Sequence, residues 1–262
     1  MRWVRFATGN GAVYGIVEGD AVQEVEGDPF AGYQPAGRRH KLADIRFLIP
    51  VVPGTFYAAG LNYREHVIAV ADKLGVAPKL PKAADIGYRA NNSLIAHGDT
   101  IVIPADATER VQYEGEVVAV IGRKTRNIGA ADALSCVLGY TIGNDLSERS
   151  WQGEDNTLWR AKNTDTFAPM GPWIETEFDI ARARTRVRVN GKETIDFATA
   201  DMVFDIPTYI SRISRYVTLY PGDVIWMGTD GSGPNLKHGD VVEIDITGIG
   251  TLRNPIVREG AA

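Results

Sequence analysis

One stretch decides the fold: Tyr113-Glu114-Gly115-Glu116-Val117-Val118-Ala119-Val120-Ile121. It opens with two glutamates and continues as an apolar run typical of a strand. Alternate residues of a strand lie on the same face, so Glu114 and Glu116 point the same way as Val118 and Val120. Glutamates at a strand end are most often solvated, but the valines on this face favour a partly buried environment. Two carboxylates there repel each other unless a cation or protons compensate them.

A third carboxylate comes from the next apolar run. Residues 137–142 are typical of a strand emerging from the core, and Asp145 lies just beyond its end. Alone, an aspartate in such a place is more often a turn or cap residue. Together with Glu114 and Glu116 it makes an all-oxygen set of ligands, which selects a hard cation such as Mg²⁺ or Mn²⁺ over zinc.

The rest of the chain predicts a β-dominated α+β fold, with a small N-terminal β-rich domain at residues 1–50 and a main domain at residues 51–262. Residues 63–74 are predicted as a helix. So are residues 205–219, whose apolar residues have helical spacing and which begin with Asp205 as a candidate N-cap. The predicted strands are 3–7, 12–17, 21–25, 55–60, 100–103, 117–121, 137–142, 185–189, 223–227, 241–246 and 251–257.

The composition argues against several classes of partner. The 262 residues include 33 acidic and 28 basic side chains, a formal net charge of −5, and the densest basic cluster is Arg38-Arg39-His40-Lys41. No nucleic-acid partner is therefore expected. No apolar run reaches the length of a membrane-spanning helix and the first residues lack a signal-peptide pattern, so no membrane partner is expected either. The single cysteine, Cys136, lies in an apolar run, which is typical of a buried, inert thiol in a reducing cytoplasm.

Two further side chains are candidates for chemistry. His66 comes shortly after the predicted strand 55–60 and is the best candidate for a general base, although a histidine there is more often structural. Lys162 is followed by Asn163-Thr164-Asp165, a context in which a surface lysine is the default. The segment from Glu65 to Lys82 joins the His66 helix to a loop with two prolines, and we expect it to act as a moving lid.

Taken together, these segments resemble the fumarylacetoacetate hydrolase family, in the form of a short bacterial-type member. The resemblance covers residues 55–257, and six motifs occur in the family's order. It implies a mixed β-sandwich roll behind a small N-terminal domain, and usually a homodimer. The matching segments are Gly60-Leu61-Asn62-Tyr63-Arg64-Glu65-His66, Tyr113-Glu114-Gly115-Glu116, Gly143-Asn144-Asp145-Leu146-Ser147-Glu148-Arg149, 162–172, 221–229 and 236–244.

The resemblance also implies a role for each candidate residue. Mg²⁺ or Mn²⁺ would be the cofactor, with Ca²⁺ as an alternative occupant in crystals, and His66 would be the general base on the lid. The substrate would be a small 2-oxo acid. By the same analogy, the metal ligands are Glu114, Glu116 and Asp145; Lys162 stands beside the metal; Arg149 and Gln152 face the substrate; and Thr229 lines the pocket from a glycine-bearing loop.

The sequence does not decide among several reactions that proceed through the same enolate. The favoured expectation is hydrolysis of a C–C bond in an acylpyruvate-like 2,4-dioxo acid through a metal-bound enolate. The alternatives are a hydratase or isomerase of 2-oxo-dienoates or an oxaloacetate-type decarboxylase in aromatic catabolism, and a non-enzymatic, ligand-binding homologue. Many short members of the family pair the histidine with a glutamate three residues later, where this chain has Ala69. The carboxylate that partners His66 is therefore not fixed by the sequence.

Overall fold

The structure, a computed structural model, describes residues 1–9 and 11–261, without the side chains at positions 73 and 74. Strands dominate it and helices are few, as predicted. The four α-helices within the described residues are α1 (Arg64–Leu74), α2 (Arg149–Glu154), α3 (Trp159–Asn163) and α4 (Ile206–Tyr216). The strands are β1 (Arg2–Thr8), β2 (Gly11–Glu18), β3 (Ala21–Asp28), β4 (Gly32–Lys41), β5 (Arg46–Phe47), β6 (Phe56–Ala59), β7 (Ile86–Tyr88), β8 (Leu94–Ile95), β9 (Ile101–Ile103), β10 (Val111–Gln112), β11 (Gly115–Ile121), β12 (Val137–Asn144), β13 (Ser147–Glu148), β14 (Ala168–Glu175), β15 (Arg184–Val189), β16 (Lys192–Ala198), β17 (Val224–Trp226), β18 (Val241–Ile246) and β19 (Gly250–Arg258).

A large mixed sheet and a smaller one form the body of the molecule. The 12-stranded sheet has the order β4-β3-β2-β1-β14-β12-β11-β17-β6-β7, with β5 paired to β1 and β8 paired to β14. The five-stranded sheet has the order β16-β15-β18-β19-β9, and β10 pairs with β13. This arrangement confirms the fold class that the sequence and the family resemblance predict.

Strand β11 lies at the centre of the large sheet and is buried on both faces. Gly115 packs so closely on the second sheet that an added Cβ would come within 3.1 Å of Ile244 and Val187. In β12, a Cβ at Gly143 would lie 2.5 Å from the ring of Trp226. Both strands next to the acidic residues are therefore tightly packed in the core, which fixes the position of their ends.

The N-terminal strands continue the large sheet. Strands β1 to β4 form an antiparallel meander, and β1 joins β14 through the pairs Arg2↔Glu175 and Trp3↔Ile174. The division of the chain at residue 50 stays a prediction. Strand β4 was not predicted, because its glycines and Pro35 resemble a loop, yet the strand lies at the edge of the sheet where proline is tolerated.

Helix α4 confirms its predicted cap, because the side chain of Asp205 accepts a hydrogen bond of 2.9 Å from the backbone of Thr208. Cys136 is buried, as predicted. Among the described residues, no helix is both long and apolar enough to cross a membrane.

Candidate active site

Three carboxylates meet where β11 and β12 lie side by side. The strands are antiparallel, with Gly115 opposite Asn144 and Glu116 opposite Gly143, so the start of one meets the end of the other. The backbone N–H of Asp145 donates to the carbonyl of Glu114 over 3.0 Å. Ligand oxygens of Glu114, Glu116 and Asp145 lie within 4.8 Å of one another, and all three side chains are buried. Neither a solvated pair of glutamates nor a simple turn aspartate describes this arrangement.

Lys162 is buried against two of these carboxylates. Its Nζ donates to Glu114 Oε2 over 2.6 Å and to Asp145 Oδ2 over 2.8 Å. The default interpretation of Lys162 as a surface lysine is therefore wrong. Arg149 places Nη2 2.7 Å from Glu114 Oε1. Burial alone would raise the pKa of Glu114, but Lys162 and Arg149 outweigh it and hold that pKa well below its ordinary value.

Glu116 differs from its two neighbours. It accepts a hydrogen bond of 2.7 Å from the backbone N–H of Gly228, and it makes no ion pair with any residue in 1–9 or 11–261. Burial, with the nearby charges of Asp145 and Glu114, raises the pKa of Glu116 well above its ordinary value. A buried carboxylate with no protein cation, beside two others, fits a divalent metal ion with oxygen ligands.

Arg89 is a site residue that the sequence analysis missed. It follows β7, and its guanidinium donates to Asp145 twice, from Nε to Oδ1 over 3.3 Å and from Nη2 to Oδ2 over 3.0 Å. Asp145 is thus held by Arg89 and Lys162 together. No pattern in the sequence around Arg89 points to this contact, because it forms only when β7 packs at the edge of the sheet beside β6.

His66 lies in the first turn of α1 and is oriented by a backbone carbonyl. Its Nδ1 lies 3.1 Å from the carbonyl oxygen of Thr229, which only accepts, so Nδ1 carries the proton and Nε2 is left with a lone pair. Burial lowers the pKa of His66, which favours the neutral imidazole. Ala69 is exposed on the same helix. The group that orients His66 is therefore a carbonyl rather than the carboxylate that many family members place three residues later.

One short backbone segment links the carboxylate cluster to the histidine. Gly228 donates its N–H to Glu116, and the next residue, Thr229, accepts from His66. Gly228 has φ +84°, and a Cβ there would lie 3.2 Å from Cβ of Asn62. Asn62 in turn donates to the carbonyl of Met227 over 2.9 Å. The loop thus fixes the distance between a proposed metal ligand and the proposed base.

The carboxylates and the histidine face one cavity of about 640 Å³. Arg149 crosses its wall, donating from Nη1 to Gln152 Oε1 over 2.8 Å and from Nε to Gln112 Oε1 over 2.9 Å. The structure brings all the predicted site residues together around this cavity, whereas their roles stay predictions. The lining residues predicted from the sequence are His66, Glu114, Glu116, Asp145, Arg149, Gln152, Lys162 and Thr229.

The predicted lid begins beside this cavity. His66 and Val70 of α1 line it, and residues 76–80, just after the helix, are exposed and outside any helix or strand. Val67, Ile68, Val70 and Leu74 are the apolar side chains predicted to anchor this helix when the lid is closed, and that of Leu74 lies outside the described residues. Opening and closing of the lid stay a prediction.

Comparisons with known proteins agree with this geometry. Residues 55–257 match the family model described as fumarylacetoacetate (FAA) hydrolase C-terminal, and residues 1–50 match the model described as Rv2993c-like, N-terminal. The chain is 39% identical over 271 residues to protein Rv2993c of Mycobacterium tuberculosis, covering 99% of each chain.

Two solved structures are also similar. The 5-carboxymethyl-2-hydroxymuconate delta-isomerase from Mycobacterium smegmatis has a TM-score of 0.89 and 39% identity, over 99% of this chain and 100% of that one. The maleylpyruvate hydrolase from Sphingobium sp. SYK-6, in complex with manganese(II) ion and pyruvate, has a TM-score of 0.78 and 26% identity, over 98% of this chain and 99% of that one.

Proposed function

This chain belongs to the fumarylacetoacetate hydrolase family, and on that premise we propose that it is a metal-dependent hydrolase that cleaves the C–C bond of an acylpyruvate-like 2,4-dioxo acid. Membership confirms the resemblance found in the sequence and makes the protein an enzyme of a family that acts on ketonic substrates. One observation carries the proposal: His66, oriented by the carbonyl of Thr229, shares a cavity with three buried carboxylates, and Glu116 has no cationic partner among the described residues.

Glu114, Glu116 and Asp145 would hold Mg²⁺ or Mn²⁺. The donor set supports this, since three carboxylates suit a hard cation, and so does the manganese ion reported with pyruvate in the related hydrolase. When bound, such an ion would bind the 2-oxo acid end of the substrate and would supply stabilisation of negative charge on the 2-oxo oxygen.

The side chains of this chain supply the remaining functions. Nε2 of His66 takes a proton from a water molecule, whose oxygen attacks C4 of the substrate. The C3–C4 bond then breaks, its electron pair passes to C3 and the 2-oxo oxygen, and C4 leaves as a carboxylic acid. C3 takes up a proton to complete the 2-oxo acid product. Lys162 and Arg149, both bound to Glu114, add positive charge beside the developing oxyanion.

An isomerase is the second candidate. The similarity to the delta-isomerase from Mycobacterium smegmatis supports it. Hydration and decarboxylation would use the same enolate. An inactive ligand-binding homologue has no support in the site, which retains the carboxylates, Lys162 and His66.

The oligomeric state and the cellular location of the enzyme are also proposals. We propose a homodimer, on the family resemblance, and a cytoplasmic location, which the buried free thiol of Cys136 supports. Light scattering and cell fractionation would test the two statements separately.

The decisive experiment is a panel of 2-oxo acids assayed with Mg²⁺, with Mn²⁺ and with EDTA. Cleavage of acetylpyruvate to acetate and pyruvate, lost in EDTA and restored by either metal, is the expected result. Turnover of a 2-oxo-dienoate with no cleavage of any 2,4-dioxo acid would favour the isomerase. Full activity in metal-free protein would contradict the proposed chemistry altogether.

A further inference from the structure

Four cationic side chains line the cavity, and one of them differs from the others. Arg89, Arg149 and Lys162 are each bound to a carboxylate of the proposed metal site. The guanidinium of Arg110 makes no ion pair and no hydrogen bond with any described residue of the chain, and only its backbone N–H donates, to Thr108 Oγ1. A guanidinium carries five N–H donors and cannot lose its charge in a protein. Arg110 is therefore the cation of this cavity that is available to a ligand.

The position of Arg110 is fixed by the strands beside it. Its backbone carbonyl accepts a hydrogen bond of 3.0 Å from the N–H of Arg149, just where β10 and β13 pair through Val111 and Glu148. Gln112 follows on the same wall, and its Oε1 accepts from Arg149 over 2.9 Å and from Ser232 over 2.8 Å. The cavity wall next to Arg110 is therefore held in place by hydrogen bonds, although the side chain of Arg110 is exposed.

The charge of the lining points the same way. When all three carboxylates are ionised, as metal binding requires, they face four cations, and the cavity has a net charge of +1 with a neutral His66. A divalent ion would bring this charge to +3. A 2-oxo acid with a single carboxylate leaves an excess of +2, and a second carboxylate reduces that excess to +1. The cavity, at about 640 Å³, is of the size that holds whole small-molecule ligands rather than one functional group.

We propose that Arg110 binds a second, distal carboxylate, so that the substrate is a dicarboxylic 2-oxo acid whose 2-oxo end lies at Glu114, Glu116 and Asp145. This rests on the proposed function only in placing the 2-oxo end at the carboxylates. Arg110 is a specificity-determining residue in this scheme and takes no part in bond breaking. A bidentate guanidinium–carboxylate pair provides the recognition.

Binding of an unreactive pair of ligands tests the proposal without relying on turnover. The probes are 2-oxoglutarate and 2-oxopentanoate, which have the same five-carbon chain and differ in the distal carboxylate. Their dissociation constants would be measured by calorimetry in the presence of Mn²⁺, with oxalate as a ligand that occupies the metal end alone. The variants are Arg110→Gln, and Arg182→Gln as a control that removes the same charge from an exposed position outside the cavity.

We expect the wild-type protein to bind 2-oxoglutarate about tenfold more tightly than 2-oxopentanoate, as for a hydrogen-bonded pair of charges at an exposed site. Arg110→Gln should remove this preference and change oxalate binding by less than about twofold, whereas Arg182→Gln should keep it. Equal affinity of the wild-type protein for both probes, or equal weakening of both by Arg110→Gln, would overturn the proposal. So would failure of 2-oxoglutarate to bind at the site where oxalate binds.

The outcome is separable from the proposed hydrolysis. If no 2,4-dioxo acid is cleaved but the preference for 2-oxoglutarate depends on Arg110, the reaction is wrong and the substrate class stands. If acetylpyruvate is cleaved and the preference for 2-oxoglutarate is missing, the proposed reaction stands and the proposed substrate class is wrong.

Discussion

Two clusters of charged and polar side chains, one around the buried carboxylate of Glu24 and one around that of Glu116, have opposite electrostatics. In the N-terminal meander, Glu24 is bound by Arg38, with Nε donating to Oε1 over 2.9 Å, and by His40, whose Nε2 lies 2.8 Å from Oε2. The hydrogen bond from Arg38 outweighs burial and lowers the pKa of Glu24 to about 2. In the main body, Glu116 has two carboxylate neighbours, and the one donor to it among the described residues is the backbone N–H of Gly228.

The contrast teaches how a structural carboxylate differs from a candidate metal ligand. Both oxygens of Glu24 accept hydrogen bonds from protein donors, and one of these donors is the guanidinium of Arg38, so nothing is gained by adding an ion. Glu116 is buried with its charge uncompensated, which costs free energy unless an ion or a proton arrives. Burial alone therefore does not identify the site; the informative quantity is negative charge left over after the protein's own cations have been counted.

The largest expected effect comes from a substitution in the second cluster, at Glu116. Glu116→Gln keeps the shape of the side chain and removes the charge that the proposed ion needs. We expect kcat/KM to fall about 10⁴-fold or more, because a bound cation supplies several kcal/mol of charge stabilisation. Glu24→Gln is the matched control. Activity and Mn²⁺ affinity would be measured for both, and a similar fall in the two variants would show that the clusters do not differ in this way.

A histidine from each cluster gives the second comparison. His66→Ala should lower hydrolysis of a 2,4-dioxo acid by about 10²–10⁴-fold, the range for loss of a general base, and should lower any decarboxylation of oxaloacetate less, since only hydrolysis needs an activated water. His40→Ala should leave both rates unchanged. Equal losses of the two activities in His66→Ala would assign His66 a different role, such as closing the lid.

A third prediction concerns the carbonyl that orients His66. Because burial lowers the pKa of His66 below 6.5, the neutral base persists to lower pH, and the acid limb of kcat/KM should lie below 6.5. Ala69→Glu supplies the missing carboxylate, and a negative charge at this helical spacing, on the exposed side of the helix, should move the limb upward by a few tenths of a pH unit. The control is Ala69→Gln, and a limb that moves equally in both variants would exclude an electrostatic cause.

The smallest effect is on stability. Glu24→Gln should lower the free energy of unfolding by about 1 kcal/mol at neutral pH, the net value of one hydrogen bond. Because the folded-state pKa of Glu24 is lowered to about 2 from 4.5, its contribution is present above pH 4.5 and is lost as the pH falls toward 2. Urea unfolding across this range would show the two proteins converging. Metal-free Glu116→Gln should show no such loss of stability at neutral pH.

The sequence predicted the parts of the fold that local patterns control. The apolar runs of β11 and β12 and the cap at Asp205 each depend on a few consecutive residues, and each lies where it was expected. Strand β14 was missed, because Pro169 and Pro172 are unusual in a strand. That strand exists because β12 pairs with it on one side and β8 and β1 pair with its two ends on the other, which are contacts between distant segments.

The site shows the same limit more sharply. The motifs allowed the three carboxylates to be identified because they lie at the ends of predictable strands. The burial of Lys162 and the contact of Arg89 with Asp145 depend on how α3 and β7 pack, and no local spacing encodes them. The partner of His66 was left open for the same reason: a backbone carbonyl such as that of Thr229 carries no signature in residue type.

The pairing of β1 with β14 has a consequence for any shortened form of this enzyme. Without residues 1–50, β14 would lose its neighbour at Ile174 and Glu175 and present unpaired N–H and C=O groups at a bare sheet margin. The apolar surface now covered by Trp3 would be open beside it. Exposed strand margins of this kind recruit other chains and promote aggregation. The N-terminal meander therefore covers this margin of β14 and keeps it from pairing with the strands of other chains.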